Sequence, residues 1–145
     1  MSVNFIDSNV FIYLFDEYDD DKRQAAKSLI HKSLAERSAQ ISFQVVQETL
    51  NIITRKLPVP VTHQDALHFL DQMLLPFWKI NPSRALYQRG LNLQERYPFS
   101  FYDSLIVAAA LEAGCKTLYS EDLQHGQQIE GLIIKNPFHE LKRSH

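Results

Sequence analysis

The chain has 145 residues, 45% of them hydrophobic, and a formal net charge of −2 from 15 Lys and Arg against 17 Asp and Glu. This length and composition suit a single domain, 1–145, with its own hydrophobic core, and the balanced charge argues against a protein that coats nucleic acid through basic residues. The longest uninterrupted apolar stretch, 105–111, is far shorter than the roughly 20 residues that cross a bilayer, and the start lacks a signal-peptide pattern, so we expect a cytoplasmic protein without membrane contact.

Strand-like and helix-like patterns alternate along the chain. Short apolar runs predict strands at 3–6, 39–43, 77–80, 116–119 and 132–135. Helical spacing of apolar residues, caps and proline stops predict helices at 10–15, 22–36, 45–57, 62–75, 83–97 and 101–113. This order predicts an α/β domain with a mostly parallel sheet of about five strands, flanked by helices on both faces.

Polar residues stand where several predicted helices begin. Asn9 is expected to open the first helix, and Asn81 with Pro82 to begin the fifth as cap and first helical residue. Thr62 and Ser100 each precede an acid by three residues, which is the spacing of a capping box. These caps fix the expected starts of four helices.

Cysteine and histidine offer no metal site in this sequence. The single Cys115 cannot form an internal disulfide and is predicted to be a buried structural thiol. The six histidines lack the spacing of metal ligands and are predicted to lie mostly at the surface. Any metal site must therefore be built from oxygen ligands.

Four carboxylates follow strands or lie on the helices that come after them. Asp7 ends the first predicted strand, Asp122 follows the fourth, Asp103 lies in the first turn of the last helix, and Glu48 borders the apolar stripe of the third helix. The carboxyl ends of parallel strands share one edge of a sheet, where the following helices also start. Carboxylates gathered there repel one another and are normally retained with a compensating cation. The pattern therefore predicts a divalent-metal site.

Each acid taken singly has a simpler structural interpretation. Asp7 could cap the following helix, Asp103 could belong to a capping box, and Glu48 could be a solvated helix residue. Asp122 could be a turn residue, with neighbouring Glu121 in its place at the site. The shared position at one sheet edge favours the metal site, while the choice between Asp122 and Glu121 stays open.

Four short motifs together resemble the PIN domain family, and the compact length resembles its VapC-type toxin branch. They are Phe-Ile-Asp-Ser-Asn at 5–9, Gln-Glu at 47–48, Phe-Tyr-Asp-Ser-Leu-Ile-Val-Ala-Ala-Ala at 101–110 and Leu-Tyr-Ser-Glu-Asp at 118–122. The resemblance implies an Mg²⁺- or Mn²⁺-dependent ribonuclease that hydrolyses RNA phosphodiester bonds. It implies that the catalytic, metal-binding acids are Asp7, Glu48, Asp103 and Asp122, with Asn9 and Ser120 in support. The Leu-Gln-His-Gly that follows residue 122 departs from the family's frequent basic and aromatic continuation.

The resemblance also implies partners. VapC-type toxins are held inactive by an antitoxin encoded beside them and form homodimers, so a cognate antitoxin and a second copy are expected beside the RNA substrate. An antitoxin Arg could pair with the carboxylates while an amphipathic helix covers apolar surface near 10–15.

Two other classes of function were weighed against a nuclease. A catalytically silent RNA-binding or interaction module on the same fold is the alternative, because a fold does not fix an activity. A haloacid dehalogenase-like phosphatase and a receiver domain are disfavoured, because Asn9 and Asn81 stand where those families require an aspartate.

Overall fold

The computed structural model describes residues 3–141. Its strands are β1 Asn4–Ile6, β2 Ala39–Ser42, β3 Trp78–Ile80, β4 Thr117–Tyr119, β5 Gln128–Ile129 and β6 Leu132–Lys135. Its α-helices are α1 Ser8–Ile12, α2 Asp20–Glu36, α3 Phe43–Arg55, α4 His63–Phe69, α5 Arg84–Arg96 and α6 Phe101–Glu112. A 3-10 turn, Tyr13–Phe15, extends α1, and a π-helical turn, Leu70–Leu74, extends α4.

The strands form one sheet in the order β3-β2-β1-β4-β6-β5. Neighbouring strands run parallel except β5 and β6, which are antiparallel. Strands β1 and β4 are neighbours at the centre, and the chain moves outward from them in opposite directions. Such a reversal opens a crevice at the carboxyl ends of the strands, where ligands of α/β proteins bind. Asp7 and Ser120, which follow β1 and β4, lie at this crevice.

The predicted α/β class with a mostly parallel sheet is confirmed, but the sheet has six strands where about five were predicted. The additional strand is β5, which has two residues and pairs with β6. Its turn carries Glu130 at φ 50° and Gly131 at φ 89°, the left-handed pair typical of a type I′ hairpin. A strand this short leaves no alternating pattern in the sequence.

Two predicted helix starts are wrong. Helix α1 begins at Ser8 with Asp7 as its cap, two residues before the expected Asn9, because the Asp7 carboxylate accepts the Ser8 N–H. Helix α5 is capped by Ser83 rather than Asn81, since the Ser83 side chain accepts a backbone N–H of the first turn. Asn81 and the proline after it lie exposed in the connection from β3.

Two other predicted caps are confirmed. The hydroxyl of Thr62 accepts the Asp65 N–H at 3.1 Å, and the hydroxyl of Ser100 accepts the Asp103 N–H at 3.1 Å. The strand predicted at 39–43 is one residue shorter, because Phe43 already begins α3. These differences shift element ends without changing the order of strands and helices.

The core lies between the sheet and its helices. The β1 residues Phe5 and Ile6 are fully buried, and α6 is buried continuously from Ser104 to Ala110, as its apolar sequence predicts. Helices α5 and α6 pack closely because Gly90 has no side chain: a Cβ there would lie 2.8 Å from Leu105 Cδ2. Each large apolar side chain buried in this way stabilises the fold by about 1.5–3 kcal/mol. In the described part of the chain, no helix is long and apolar enough to cross a membrane.

The cysteine and histidine predictions agree with the structure. Cys115 is a buried free thiol. The five histidines within residues 3–141 are all exposed, at 31, 63, 68, 125 and 139, and the sixth, at 145, lies outside the described residues. The rings of His125 and His139 stack with centroids 3.8 Å apart.

Candidate active site

Asp7 is the buried centre of the acidic cluster, with only 4% of its surface exposed. It lies between β1 and α1, and its Oδ1 accepts the Ser8 N–H at 2.8 Å while its Oδ2 accepts the Ser120 hydroxyl at 2.8 Å. Burial raises the pKa of Asp7 from 3.8 to about 7, against the lowering effect of these two hydrogen bonds. The charges of Glu48 and Asp122 raise it further. The effects that raise the pKa of Asp7 thus outweigh those that lower it, so the ionised form of this carboxyl is disfavoured.

Glu48 reaches Asp7 from helix α3. Its Oε1 accepts the Ser8 hydroxyl at 3.1 Å, and its Oε2 accepts the Gln44 side-chain amide at 3.3 Å. Gln44 also donates to the Tyr102 carbonyl at 3.0 Å, which ties α3 to the start of α6. Neither Ser8 nor Gln44 was predicted as a site residue, although one directly follows Asp7 and the other lies one helical turn before Glu48.

Asn9 and Ser120 connect Asp7 to Asp122. The Asn9 amide donates to Asp122 Oδ2 at 3.1 Å and to Ser120 Oγ at 3.4 Å. Ser120, which is fully buried, donates to Asp7 and accepts the Asp122 N–H at 3.2 Å. Both residues thus hold acids of the cluster in place, which is the geometry that a supporting role requires.

The two acids after β4 have different surroundings. Asp122 lies with the other three predicted acids, whereas Glu121 pairs with Lys22 Nζ at 2.5 Å and accepts the Tyr13 hydroxyl at 2.6 Å. Glu121 also lines a separate cleft beside the 3-10 turn. Of the two alternatives left open by the sequence, Asp122 is the acid at the candidate site.

Asp103 enters the site from the first turn of α6. Partial burial raises the pKa of Asp103, the hydrogen bond with Ser100 lowers it, and the charge of Asp122 raises it again. The cap uses the backbone N–H of Asp103, so its carboxylate remains available to the cleft, where it senses the charge of Asp122. The capping interpretation is confirmed for this residue, and its role as a site residue stays a prediction that the cap does not contradict.

The four carboxylates line one cleft of about 230 Å³, which we call the acidic cleft. Its lining consists of Asp7, Ser8, Glu48, Asn51, Ile52, Lys56, Asp103, Ile106 and Asp122. The acid side chains share this cleft without converging on one point: within residues 3–141 no three His, Cys, Asp or Glu side chains are grouped so as to hold a metal ion. The donor atoms offered are oxygens, which are the ligands that Mg²⁺ and Mn²⁺ prefer.

A mostly parallel α/β domain with an acidic cleft at the reversal point of its sheet defines a structural class. Comparison with family models identifies the class: the PIN domain model matches residues 5–127, and the chain belongs to the PIN domain family. The predicted family is therefore confirmed. No curated protein matches the chain.

Several solved structures share the fold at low sequence identity. A toxin-antitoxin complex from Klebsiella pneumoniae is 22% identical with a TM-score of 0.64, covering 94% of this chain and 98% of that one. VapBC2 from Rickettsia felis, bound to a DNA fragment from its promoter, is 18% identical with a TM-score of 0.65, covering 92% and 98%. VapC20 from Mycobacterium tuberculosis, a sarcin-ricin loop cleaving toxin, is 18% identical with a TM-score of 0.59, covering 81% and 88%. At these identities the likeness shows the fold.

Proposed function

We propose that this chain is a divalent-metal-dependent endoribonuclease and the toxin of a VapBC-type toxin-antitoxin pair, acting in the cytoplasm. The observation that carries the proposal is that four carboxylates from four separate segments of a PIN domain line one cleft. Asp7, Glu48, Asp103 and Asp122 would bind Mg²⁺ or Mn²⁺ and carry hydrolysis of RNA, with Asn9 and Ser120 in support.

The chemistry of the cleft fits a divalent cation. Asp7 is buried beside two further carboxylates, and the pKa of Asp7 is raised first by burial and then by the charges of Glu48 and Asp122. These carboxylates would hold a divalent cation, and the chemistry that it would supply is polarisation of a phosphate oxygen and a lower pKa of a bound water. The cluster offers oxygen donors without Cys or His, so zinc is disfavoured.

The protein's own groups have separate tasks in this proposal. Ser8 bridges the two acids because its backbone N–H donates to Asp7 Oδ1 at 2.8 Å and its hydroxyl donates to Glu48 Oε1 at 3.1 Å. Lys56 is the one cation in the lining of the acidic cleft, and its side chain makes no hydrogen bond or ion pair with any described residue. An ammonium at the rim of an acidic cleft would contact the substrate phosphate and draw an anionic strand toward the acids.

RNA cleavage by the purified protein tests the proposal. Cleavage of a mixed RNA substrate is expected with Mg²⁺ or Mn²⁺ and not in excess chelator, and it should fall sharply in Asp7→Asn. The matched control is Asp71→Asn, an exposed position on the π-helical turn. A metal-loaded wild type that leaves every RNA intact would contradict the nuclease proposal.

One observation favours the second candidate, a catalytically silent PIN-fold interaction module. Both oxygens of Asp7 and both oxygens of Glu48 accept hydrogen bonds from protein groups, so the cluster is partly satisfied without a metal. A silent module would bind Mn²⁺ no better than its Asp7→Asn variant does. Isothermal titration with Mn²⁺ therefore separates the two candidates before any RNA is added.

A surface next to the acidic cleft supports an antitoxin partner. A second cleft of about 390 Å³ is lined in part by the apolar residues Ile12, Phe15 and Leu57. Asn9, which donates to Asp122, also lines it. Val10 and Phe11, which the sequence placed on such a surface, are instead fully buried in the core. The apolar surface expected near 10–15 is thus formed by the later residues of that segment.

The rim of this second cleft indicates what kind of partner fits it. Tyr18 is 88% exposed and Val59 is 79% exposed, while Asp16 and Glu17 add negative charge. An amphipathic helix with basic residues beside its apolar face would cover these side chains, and an Arg from it could extend to the neighbouring carboxylates. Two of the similar solved structures are toxin complexes with antitoxins, which supports this partner. A homodimer stays a prediction, to be checked by analytical ultracentrifugation.

A further inference from the structure

A partly buried polar cluster includes Glu121, the residue that precedes Asp122 in the chain. Lys22 Nζ is 2.5 Å from Glu121 Oε2, the Tyr13 hydroxyl donates to Glu121 Oε1 at 2.6 Å, and Lys22 donates to the Tyr13 hydroxyl at 3.2 Å. Only 9% of the Lys22 side chain and 23% of the Glu121 side chain are exposed. We call these three residues the Lys22 cluster. The proposed chemistry assigns no role to any of them.

The surroundings of Lys22 favour its charged form. Its Nζ lies 5.0 Å from the Tyr13 ring centroid and 5.6 Å from that of Phe138, and these two rings pack edge to face. Burial opposes the charged ammonium, but the hydrogen bonds and charges of Glu121 and Tyr13 outweigh it, so the pKa of Lys22 is raised overall. Removing one partner of such a pair leaves the other as an uncompensated buried charge.

The Lys22 cluster connects to the acidic cleft through a short chain of hydrogen bonds. The Glu121 N–H donates to Asn9 Oδ1 at 3.1 Å, and the Asn9 amide donates to Asp122 Oδ2 at 3.1 Å. Glu121 and Asp122 are consecutive, and they line different clefts. Fixing the Glu121 side chain on one side of the segment therefore constrains Asp122 on the other.

We propose that Lys22 is a positioning residue for the acidic cleft: its ion pair with Glu121 holds the segment after β4 so that Asp122 stays with Asp7. The inference rests on the proposed function, because it concerns how the metal-binding acids are arranged. The same pair keeps Glu121 out of the acidic cleft, where a fifth carboxylate would add repulsion. Lys22 itself touches none of the proposed ligands.

Mn²⁺ binding to the full chain, followed by electron paramagnetic resonance without RNA, tests the proposal. Lys22→Met keeps the apolar stem and removes the charge, and we expect its Mn²⁺ affinity to fall by about 10- to 100-fold, as when other groups that orient metal ligands are lost. Lys22→Arg should retain most of the affinity, because a guanidinium can still pair with Glu121. The matched control is Arg23→Met on the same turn of α2, whose ion pair with Asp20 is exposed.

A second experiment tests whether Lys22→Met lowers Mn²⁺ affinity by displacing Asp122. In an Asp122→Asn background, Lys22→Met should weaken Mn²⁺ binding no further, since the acid that Lys22 positions is already gone. An equal loss in both backgrounds would indicate general destabilisation and overturn the proposal. Should Lys22→Met fail to fold, Glu121→Gln preserves shape while weakening the pair, and unchanged Mn²⁺ affinity in that variant would overturn the proposal as well.

A metal-free measurement separates this inference from the proposed function. The Asn9 side-chain amide, which donates to Asp122, should shift in the ¹H–¹⁵N spectrum of Lys22→Met and stay unchanged in Arg23→Met. If the wild type binds no Mn²⁺ but Lys22→Met shows this shift, the metal-dependent function is overturned and the positioning role is kept. A wild type that binds Mn²⁺ while Lys22→Met matches Arg23→Met in affinity and spectrum would overturn the positioning role alone.

Discussion

Replacing Asp7 with Asn should stabilise the metal-free protein at neutral and alkaline pH. The pKa of Asp7 is raised from 3.8 to about 7, so the unfolded chain loses this proton at a lower pH than the folded protein does. Because the folded state holds the proton more tightly, wild-type stability falls as pH rises from about 4 to about 7 and is then constant. Each pKa unit corresponds to about 1.36 kcal/mol, so the ionised carboxylate destabilises the fold by about 4 kcal/mol above that range.

Asparagine does not ionise, so Asp7→Asn removes this penalty, but the variant also loses one hydrogen bond. The Ser120 hydroxyl no longer has a carboxylate to donate to, which costs about 1 kcal/mol for one buried hydrogen bond. The net gain for Asp7→Asn is then about 3 kcal/mol at about pH 8. At about pH 5.5 the wild type has incurred only about half of its penalty, so the advantage of the variant should be smaller there by about 2 kcal/mol.

Urea unfolding in excess chelator at these two pH values measures the difference directly. Asp71→Asn, at an exposed position, is the control and should match the wild type at both. The reasoning is refuted if the gap between Asp7→Asn and the wild type is the same at both pH values, because a pH-independent gap cannot arise from ionisation of Asp7. It is also refuted if the variant is the less stable protein at the higher pH.

Four further predictions concern activity, stability and control. RNA cleavage should need Mg²⁺ or Mn²⁺, and Zn²⁺ should not restore it after chelation; undiminished cleavage in chelator would contradict the metal site. Asp103→Asn should remove most cleavage while its melting temperature in chelator is at least that of the parent; parent-rate cleavage would leave only the capping role. Ser120→Ala should destabilise the metal-free fold by about 1–3 kcal/mol in urea unfolding, and equal stability would mean that its hydrogen bonds contribute little. Expression of the chain alone should arrest growth, and co-expression of the adjoining gene should relieve it; harmless expression would remove the toxin assignment.

The placement of the acids could be predicted because each one is tied to a strong local signal. Asp7 directly follows an apolar strand, and Asp103 lies in the first turn of a helix that is apolar on most of its surface, so the parallel-sheet rule alone brings them to one edge. Glu48 follows from its position at the border of an amphipathic stripe. The family, the fold class and the position of the four acids at one edge of the sheet could therefore be predicted from the sequence.

The contacts that fix the side chains could not be predicted from the sequence, because they join residues far apart in the chain. Nothing local in the sequence separates Glu121 from Asp122; the difference arises from Lys22, about a hundred residues earlier, whose burial depends on packing against Tyr13 and Phe138. The cap of α1 was misplaced for a related reason. Asp7 and Asn9 are both good caps, and tertiary hydrogen bonds of Asn9 to the segment after β4 decide between them.

The two borders of the sheet limit how this protein can associate. Strand β3 has three residues and β5 has two, and β5 is folded back on β6 by its own hairpin. An extended segment of another chain that tried to lengthen the sheet would find few free backbone groups, which is how natural β-proteins avoid unwanted strand pairing. Binding by an antitoxin or by a second copy is therefore expected to use side chains on helices and loops, and to be sensitive to single side-chain replacements there.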